Sequence, residues 1–132
     1  MFRRFTDEGG CSGKKAEQYA QRFLRSRNLR IIKTNYVAPR GELDIIAREG
    51  DCLVFVEVRM RSGNSFGSAA DSIDARKQQS LIYAATHYLQ NTGQWDKVQC
   101  RFDALCLSPE TSKPGKEKNY QVEWIRNAFN PS

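Results

Sequence analysis

Hydrophobic and polar residues recur along most of this 132-residue chain with the periods of helices or of strands. Two stretches have the spacing of an amphipathic helix, and five shorter stretches have the composition and alternation typical of strands. In chain order the pattern predicts a helix over about 13–28, strands over 29–37, 42–48 and 52–60, a helix over about 71–90, and strands over 98–107 and 120–125. This order predicts one α/β domain with a central mixed five-stranded sheet flanked by helices. Residues 1–12 are predicted to form a flexible N-terminal arm, and residues 13–132 to form the domain.

The clearest pair of predicted strands is "ELDIIAR" and "CLVFVEVRM", which "EGD" separates as a hairpin turn. Side chains alternate across a strand, so Glu57 and Arg59 share a face that begins apolar and becomes polar. If Gly50 and Asp51 form a two-residue loop, Asp44 lies directly opposite Glu57, with the two Cβ atoms roughly 4.5–5.5 Å apart. A four-residue loop keeps this register, whereas a three-residue loop places the two carboxylates on opposite faces.

Two adjacent carboxylates repel each other, so the Asp44–Glu57 pair requires a compensating positive charge. A divalent cation would supply it, because Mg²⁺ and Mn²⁺ prefer carboxylate, carbonyl and water oxygens. An ordinary ion network of Arg59 and nearby lysines would also neutralise the pair. The spacing of the residues alone does not choose between these two interpretations.

Two further charged residues lie on the predicted helices close to their apolar faces. Glu17 is at the edge of the apolar stripe of the first helix and could point at the sheet, although such a glutamate more often belongs to a solvated network along the helix. Lys77 falls on the apolar face of the second helix, between Ile73 and Leu81. It either extends its ammonium group to solvent or directs its charge at the acidic pair, where a phosphate would lie.

Composition adds a class of partner and a location. The net charge of +6 and the pI of about 9.3 favour binding to polyanions, chiefly nucleic acid. No segment approaches the roughly 18 apolar residues needed to span a membrane, and "MFRRFTDEGG" lacks the apolar core of a secretory signal, so a cytoplasmic location without membrane association is expected. The four cysteines have no CxxC spacing, so we expect reduced thiols and no zinc site.

Four segments together resemble the YraN-type family of small bacterial proteins. They are "GKKAEQYAQRFL", "RGELDIIAREGDCLVFVEVRMRS", "FGSAADSIDARKQQSLIYAATHYL" and "RFDALCL", and they extend from about Gly13 to Leu107. That family is related to the restriction-endonuclease-like nucleases, especially to archaeal Holliday-junction resolvases. The resemblance therefore implies a restriction-endonuclease-like fold for residues 13–132.

The resemblance also implies a set of site residues. The superfamily pattern is a helix glutamate, a strand aspartate and Glu-x-Lys on the next strand, which correspond here to Glu17, Asp44 and Glu57, with Arg59 in place of the lysine. Asp44 and Glu57 would hold Mg²⁺ or Mn²⁺, with Glu17 assisting, for hydrolysis of phosphodiester bonds in DNA. Arg59 cannot lose a proton in a protein, although it can bind a phosphate bidentately, so Lys77 is a candidate to help activate water.

Three functions are consistent with these residues. The first is a metal-dependent DNA endonuclease acting on branched or damaged DNA, and a homodimer would suit a junction substrate because two symmetric strands are cut. The second is a DNA-binding protein of the same fold with weak or no catalysis, and the third is a protein-interaction module with structural carboxylates. DNA binding should fall steeply with salt. The basic residues expected to contact phosphates are Arg22, Arg25, Arg40, Arg61 and Arg76, together with Lys77.

Overall fold

The computed structural model of the protein describes residues 10–60, 73–109 and 120–131, and only the backbone of residues 10–13. Within these ranges the helices are α1 (Gly10–Ser26) and α2 (Ala75–Asn91), and the strands are β1 (Arg30–Ala38), β2 (Gly41–Glu49), β3 (Cys52–Met60), β4 (Gln99–Pro109) and β5 (Tyr120–Phe129). The order of helices and strands is the predicted one. Neither helix has the length and hydropathy of a membrane-spanning segment.

The helix starts differ from the predicted ones. α1 begins at Gly10, so residues 10–12 of the predicted arm belong to the helix, and residues 1–9 lie outside the described ranges. α2 begins at Ala75 and not near residue 71, because the carboxylate of Asp74 accepts a hydrogen bond from the backbone N–H of Lys77 at 2.8 Å and caps the helix. Ile73, which fits the apolar spacing of α2, is buried before the cap.

The sheet has the strand order β1-β2-β3-β4-β5. The pairs β1–β2, β2–β3 and β4–β5 are antiparallel, whereas β3 and β4 are parallel. Two parallel neighbours need a long crossover connection, and α2 lies in the connection between β3 and β4. These pairings confirm the prediction of one α/β domain built on a mixed five-stranded sheet.

The turn between β2 and β3 is a two-residue loop. Glu49 pairs with Cys52, so the loop consists of Gly50 and Asp51 alone. Gly50 has a φ of 61°, which lies in the left-handed region that glycine adopts without steric strain and that two-residue hairpin turns require. The predicted register is therefore confirmed for the paired residues, from Glu49 and Cys52 to Ile45 and Val56.

In the part of the chain that the structure describes, one helix covers each face of the sheet, and the core consists of two clusters of apolar side chains. The cluster beneath α1 includes Ala16, Ala20, Leu24, Ile45, Ala47, Leu105 and Leu107 together with the three valines of β3. The cluster beneath α2 includes Leu43, Ile46, Leu53, Phe55, Leu81, Ala84, Ala85, Tyr88 and Phe102. Burial of one large apolar side chain contributes roughly 1.5–3 kcal/mol, so these clusters supply most of the stability.

The side chains of β3 alternate between the two clusters, as predicted. Its three valines pack beneath α1, whereas Leu53 and Phe55 pack beneath α2. Glu57 is the next residue in the series of Leu53 and Phe55, and alternation places it on the α2 side of the sheet.

The position of α2 depends on a close approach at Gly41, the first residue of β2. A Cβ atom at Gly41 would lie 2.5 Å from the backbone oxygen of Ser80 and 2.8 Å from its hydroxyl oxygen. Only glycine therefore allows the backbone of α2 to pack this closely against β2. Lys77 lies almost one turn before Ser80. The close packing therefore holds Lys77 over the open end of the β2–β3 hairpin, away from its turn.

Candidate active site

The candidate site lies where β2 and β3 separate. Their backbone pairing ends at Ile45 and Val56, immediately before Asp44 and Glu57. The backbone N–H of Val58 donates a hydrogen bond of 2.9 Å to Oδ2 of Asp44. The carboxylate of Asp44 thus occupies the gap between the strands, as the neighbour of Glu57 that the register predicts.

The side-chain alternation of β2 is interrupted at Asp44. Leu43 packs in the cluster beneath α2, although strict alternation would place it with Ile45 and Ala47 in the cluster beneath α1. The next residue of the α2 cluster on this strand is Ile46, three positions further on. A local change of strand direction of this kind lets Asp44 turn towards β3.

Glu57 is the buried member of the carboxylate pair, with an exposed fraction of 3%. Its Oε2 lies 3.3 Å from Nη1 of Arg59 and 3.3 Å from Nζ of Lys77. Of the two orientations considered for Lys77, the structure therefore has the one towards the acidic pair. Burial of a carboxylate is costly unless it is paired, and these two cations provide the pairing.

The carboxyl group of Asp44 is enclosed, although the residue as a whole is only partly buried. Burial raises the pKa of Asp44 well above its ordinary value, and the adjacent Glu57 carboxylate, with which it shares a hydrogen bond, raises this pKa further. The N–H of Val58 and the charge of Lys77 act in the opposite direction. Asp44 consequently retains its proton to a higher pH than an ordinary aspartic acid.

Glu17 lies on α1, on the opposite face of the sheet from Lys77. Its Oε1 accepts a hydrogen bond of 3.4 Å from Nδ2 of Asn35 in β1. Within the described ranges, no group of three or more His, Cys, Asp or Glu side chains is arranged to hold a metal ion. The structure thus brings Asp44 and Glu57 together and leaves the assisting role of Glu17 as a prediction.

The basic residues predicted to contact phosphates divide between the two sides of the sheet. Arg22 and Arg25 are exposed on α1, whereas Arg40 is exposed in the turn between β1 and β2, and Arg76 is exposed on the first turn of α2. Arg61 lies outside the described residues. Arg40 and Arg76 therefore lie on the same side of the sheet as Lys77.

A second buried carboxylate, Asp103 of β4, was not singled out by the sequence analysis. It is 1% exposed and accepts four hydrogen bonds of 2.9–3.1 Å, two from Arg101, one from Nε1 of Trp124 and one from the backbone N–H of Asn127. These bonds join β4 to β5 and fully occupy the carboxylate, so Asp103 is structural. The aspartate within the apolar run "RFDALCL" was the available signal.

The chemistry of the Asp44–Glu57 pair fits a hard divalent cation. Mg²⁺ is commonly bound through one or two protein carboxylates, and water and phosphate oxygens complete its octahedral shell. Burial raises the pKa of Asp44 first and the Glu57 charge raises it further, and a divalent cation beside both carboxylates would relieve the second effect. Asp44 and Glu57 are therefore the two residues of the site that could contact Mg²⁺ or Mn²⁺.

Fold and site together define a single-domain α/β protein in which an aspartate–glutamate pair and two cations meet where two antiparallel strands separate. The chain belongs to the uncharacterised protein family UPF0102, whose model matches residues 16–107, and this is the family that the resemblance indicated. It is 48% identical over 123 residues to a UPF0102 protein of Nitrosomonas europaea, covering 93% of this chain and 97% of that protein. It is 42% identical over 118 residues to a UPF0102 protein of Pseudomonas fluorescens, covering 89% and 92% respectively.

Proposed function

We propose that this protein is a metal-dependent endonuclease of the restriction-endonuclease-like type that hydrolyses phosphodiester bonds in DNA. The observation that carries the proposal is the meeting of Asp44 and Glu57 at the end of the β2–β3 pairing, with Lys77 and Arg59 both 3.3 Å from the same glutamate oxygen. Carboxylates that bind a metal and cations that bind a phosphate are the components that phosphodiester hydrolysis requires. The net charge of +6 favours a polyanionic substrate.

Asp44 and Glu57 would hold the cation. When bound, Mg²⁺ or Mn²⁺ would activate a water molecule and stabilise the charge that develops on the phosphate. The hydrogen bond from Val58 fixes the direction of the Asp44 carboxylate, and burial together with Lys77 fixes that of Glu57. Asp44 must give up its proton to become a ligand, so metal binding should strengthen as the pH rises.

The two cations have different chemical capacities. The guanidinium of Arg59 keeps its charge and can hold a phosphate through two parallel hydrogen bonds. A lysine, unlike an arginine, can exchange a proton, so Lys77 is the candidate of the two to help activate the attacking water. In this proposal Lys77 of helix α2 takes the role that the superfamily pattern gives to the strand lysine. Arg59 of strand β3 positions the phosphate.

A second function, DNA binding on the same fold with weak or no catalysis, is favoured by one specific observation. Both cations contact Oε2 of Glu57, and no third acidic ligand joins Asp44 and Glu57 among the residues that the structure describes. A site neutralised in this way has less to gain from a divalent cation. A protein of this kind would bind DNA in a salt-dependent manner without cutting it.

Cleavage of single-stranded, duplex and four-way-junction DNA, measured in Mg²⁺ and in Mn²⁺, separates the two functions. We expect cleavage by the wild type and by Asp51→Asn, a control that removes an exposed carboxylate at the other end of the same hairpin. We expect none from Glu57→Gln or Asp44→Asn. Cleavage that persists in Glu57→Gln would refute the assignment. Binding without cleavage by the wild type would support the second function.

A pair of exchanges tests the division of work between the cations. Lys77→Arg keeps the charge but not the ability to release a proton, so it should lower kcat by about 100-fold or more if Lys77 acts as the general base. Arg59→Lys should keep or increase the activity. Full activity of Lys77→Arg would show that Lys77 only neutralises Glu57.

A further inference from the structure

A row of polar and aromatic side chains follows one side of α2, starting beside the candidate site. Its members recur every three or four residues and therefore lie along one side of the helix. They are Arg76, Ser80, Tyr83, His87 and Asn91. Lys77, which contacts Glu57, lies next to the beginning of this α2 row. The row therefore leads from the acidic pair along the surface of the helical layer.

The turn between β1 and β2 borders the α2 row and adds a cation to it. The guanidinium carbon of Arg40 lies 5.4 Å from the centre of the Tyr83 ring, and the hydroxyl of Ser80 donates a bond of 3.5 Å to the backbone oxygen of Arg40. The Tyr83 ring in turn lies 6.2 Å from the His87 ring, with an angle of 39° between their planes. One exposed cation and two partly exposed rings thus form a continuous surface.

The far end of the α2 row is held in place by hydrogen bonds. The hydroxyl of Tyr36 lies 2.6 Å from Nδ1 of His87, and Nδ2 of Asn91 lies 3.3 Å from the same nitrogen. Nδ1 of His87 therefore has two hydrogen-bonding partners, one on β1 and one on the last turn of α2. A ring held in this way loses little conformational freedom when a ligand stacks against it.

The combination of features indicates a ligand with flat rings and a negatively charged backbone. Arg40, Arg76 and Asn91 are exposed, and the Tyr83 and His87 rings are only partly buried. Aromatic rings beside cations are the common means of binding single-stranded nucleic acid, because each base offers a face for stacking and each phosphate a charge. Base pairs within a duplex keep those faces stacked on each other, so a duplex alone would not use this surface.

We propose that the α2 row binds unpaired nucleotides of DNA, with bases stacking on Tyr83 and His87 and phosphates facing Arg40 and Arg76. Tyr83 lies six residues after Lys77, about 9 Å along the helix axis, so these nucleotides would lie next to the bond that is cut. The inference rests on the proposed function for the nature of that bond. It narrows the substrate to DNA in which a single-stranded segment adjoins the cleavage position.

The test is the binding of a fluorescein-labelled oligothymidylate of about 12 nucleotides, followed by fluorescence anisotropy in EDTA so that cleavage plays no part. Tyr83→Leu removes the ring and should weaken binding by about 5- to 100-fold, the range expected for loss of one stacked base. Tyr83→Phe keeps the ring and should bind like the wild type. His87→Leu is the second ring variant, with the same expected loss, should Tyr83→Leu lower thermal stability.

A charge pair completes the test. Arg40→Gln should weaken binding and reduce the slope of log Kd against log salt by about one, whereas Lys15→Gln, which removes a charge from α1, should change neither. Equal binding by the wild type and Tyr83→Leu, or no binding by the wild type, would overturn the inference. Loss of binding in Tyr83→Leu without cleavage by the wild type would sustain it while removing the nuclease proposal. DNA cleavage by the wild type, together with unaltered binding by both ring variants, would overturn the inference and leave the nuclease proposal standing.

Discussion

The substitution Asp44→Asn is expected to stabilise the metal-free protein although it removes a candidate ligand. In the wild type an enclosed carboxyl group lies beside the carboxylate of Glu57, and its pKa is raised well above the ordinary value, first by burial and then by that neighbour. Asparagine has nearly the same shape. Its Oδ1 can accept the hydrogen bond from Val58, and its Nδ2 can donate to Glu57. The variant therefore keeps both contacts and has no second negative charge.

The sign of the effect follows from proton linkage. The folded-state pKa of Asp44 lies above the unfolded value, so the folded protein binds more protons between the two values, and stability falls as the pH rises through that interval. The contribution of Asp44 is fully present below the unfolded pKa of about 3.9 and is lost as the pH rises through the raised folded pKa. The asparagine variant has no such loss, so its advantage must grow with pH.

The size of the effect follows from the separation of the charges. Two carboxylates at the roughly 5 Å spacing typical of opposed residues would repel each other by about 3 kcal/mol at an effective dielectric constant of about 20. Lys77 and Arg59 offset part of this repulsion. We therefore expect Asp44→Asn to be more stable than the wild type by ~1–2 kcal/mol at high pH, or ~3–8 °C in Tm. At low pH, where Asp44 is protonated, the two proteins should be equally stable.

Urea unfolding in EDTA between about pH 5 and about pH 9 measures this difference, with Asp51→Asn as the control whose difference from the wild type should not vary with pH. Added Mg²⁺ should stabilise the wild type more than Asp44→Asn, because only the wild type has both carboxylates. A stability difference that is independent of pH would refute the reasoning. A variant that is less stable than the wild type at high pH would also refute the reasoning, because Lys77 and Val58 would then fully compensate the charge of an ionised Asp44.

Three further substitutions test the packing around the site by urea unfolding. Gly41→Ala should cost about 1–3 kcal/mol, because its Cβ would lie 2.5 Å from the backbone oxygen of Ser80, and an unchanged midpoint would mean that α2 packs less closely. Asp103→Ala should cost about 3–5 kcal/mol, because it leaves the half-buried Arg101 without its bidentate partner, and a cost below about 1 kcal/mol would contradict this account. Asp74→Ala should cost about 0.5–2 kcal/mol through loss of the α2 cap, and Asp74→Ser, which can also cap, should recover most of it.

The parts of the fold that the sequence predicted well are those set by local rules. β3 occupies 52–60, as predicted, because alternation and the turn at Gly50 act within a few residues. The start of α2 was predicted too early because Ile73 has the spacing of the helix face, although Asp74 caps the helix one residue later. A periodic pattern cannot show that an apolar residue belongs to the preceding turn.

The candidate site, like the fold, was predictable only where local rules determine the arrangement of residues. The adjacency of Asp44 and Glu57 follows from the hairpin register, which is local. The direction of Lys77 depends on how closely α2 packs on β2, and that distance is set by the contact between Gly41 and Ser80, for which the sequence has no periodic signal. Two of the four hydrogen bonds of Asp103 likewise come from residues of β5 that are more than twenty positions away.

The ion network and the metal site, which the sequence left as alternatives, need not exclude each other. Without a divalent cation, the two cations on Glu57 offset the repulsion between the carboxylates, and the raised pKa of Asp44 favours its protonated form. A divalent cation held by Asp44 and Glu57 would take over the neutralisation of Glu57, and the charge of Arg59 would become available to a phosphate. The substrate would then meet a site whose positive charge exceeds its negative charge, which is the condition for stabilising a phosphodiester transition state. Arg59 in place of lysine is consistent with this arrangement, because a permanent charge suits the phosphate while Lys77 retains the capacity to exchange a proton.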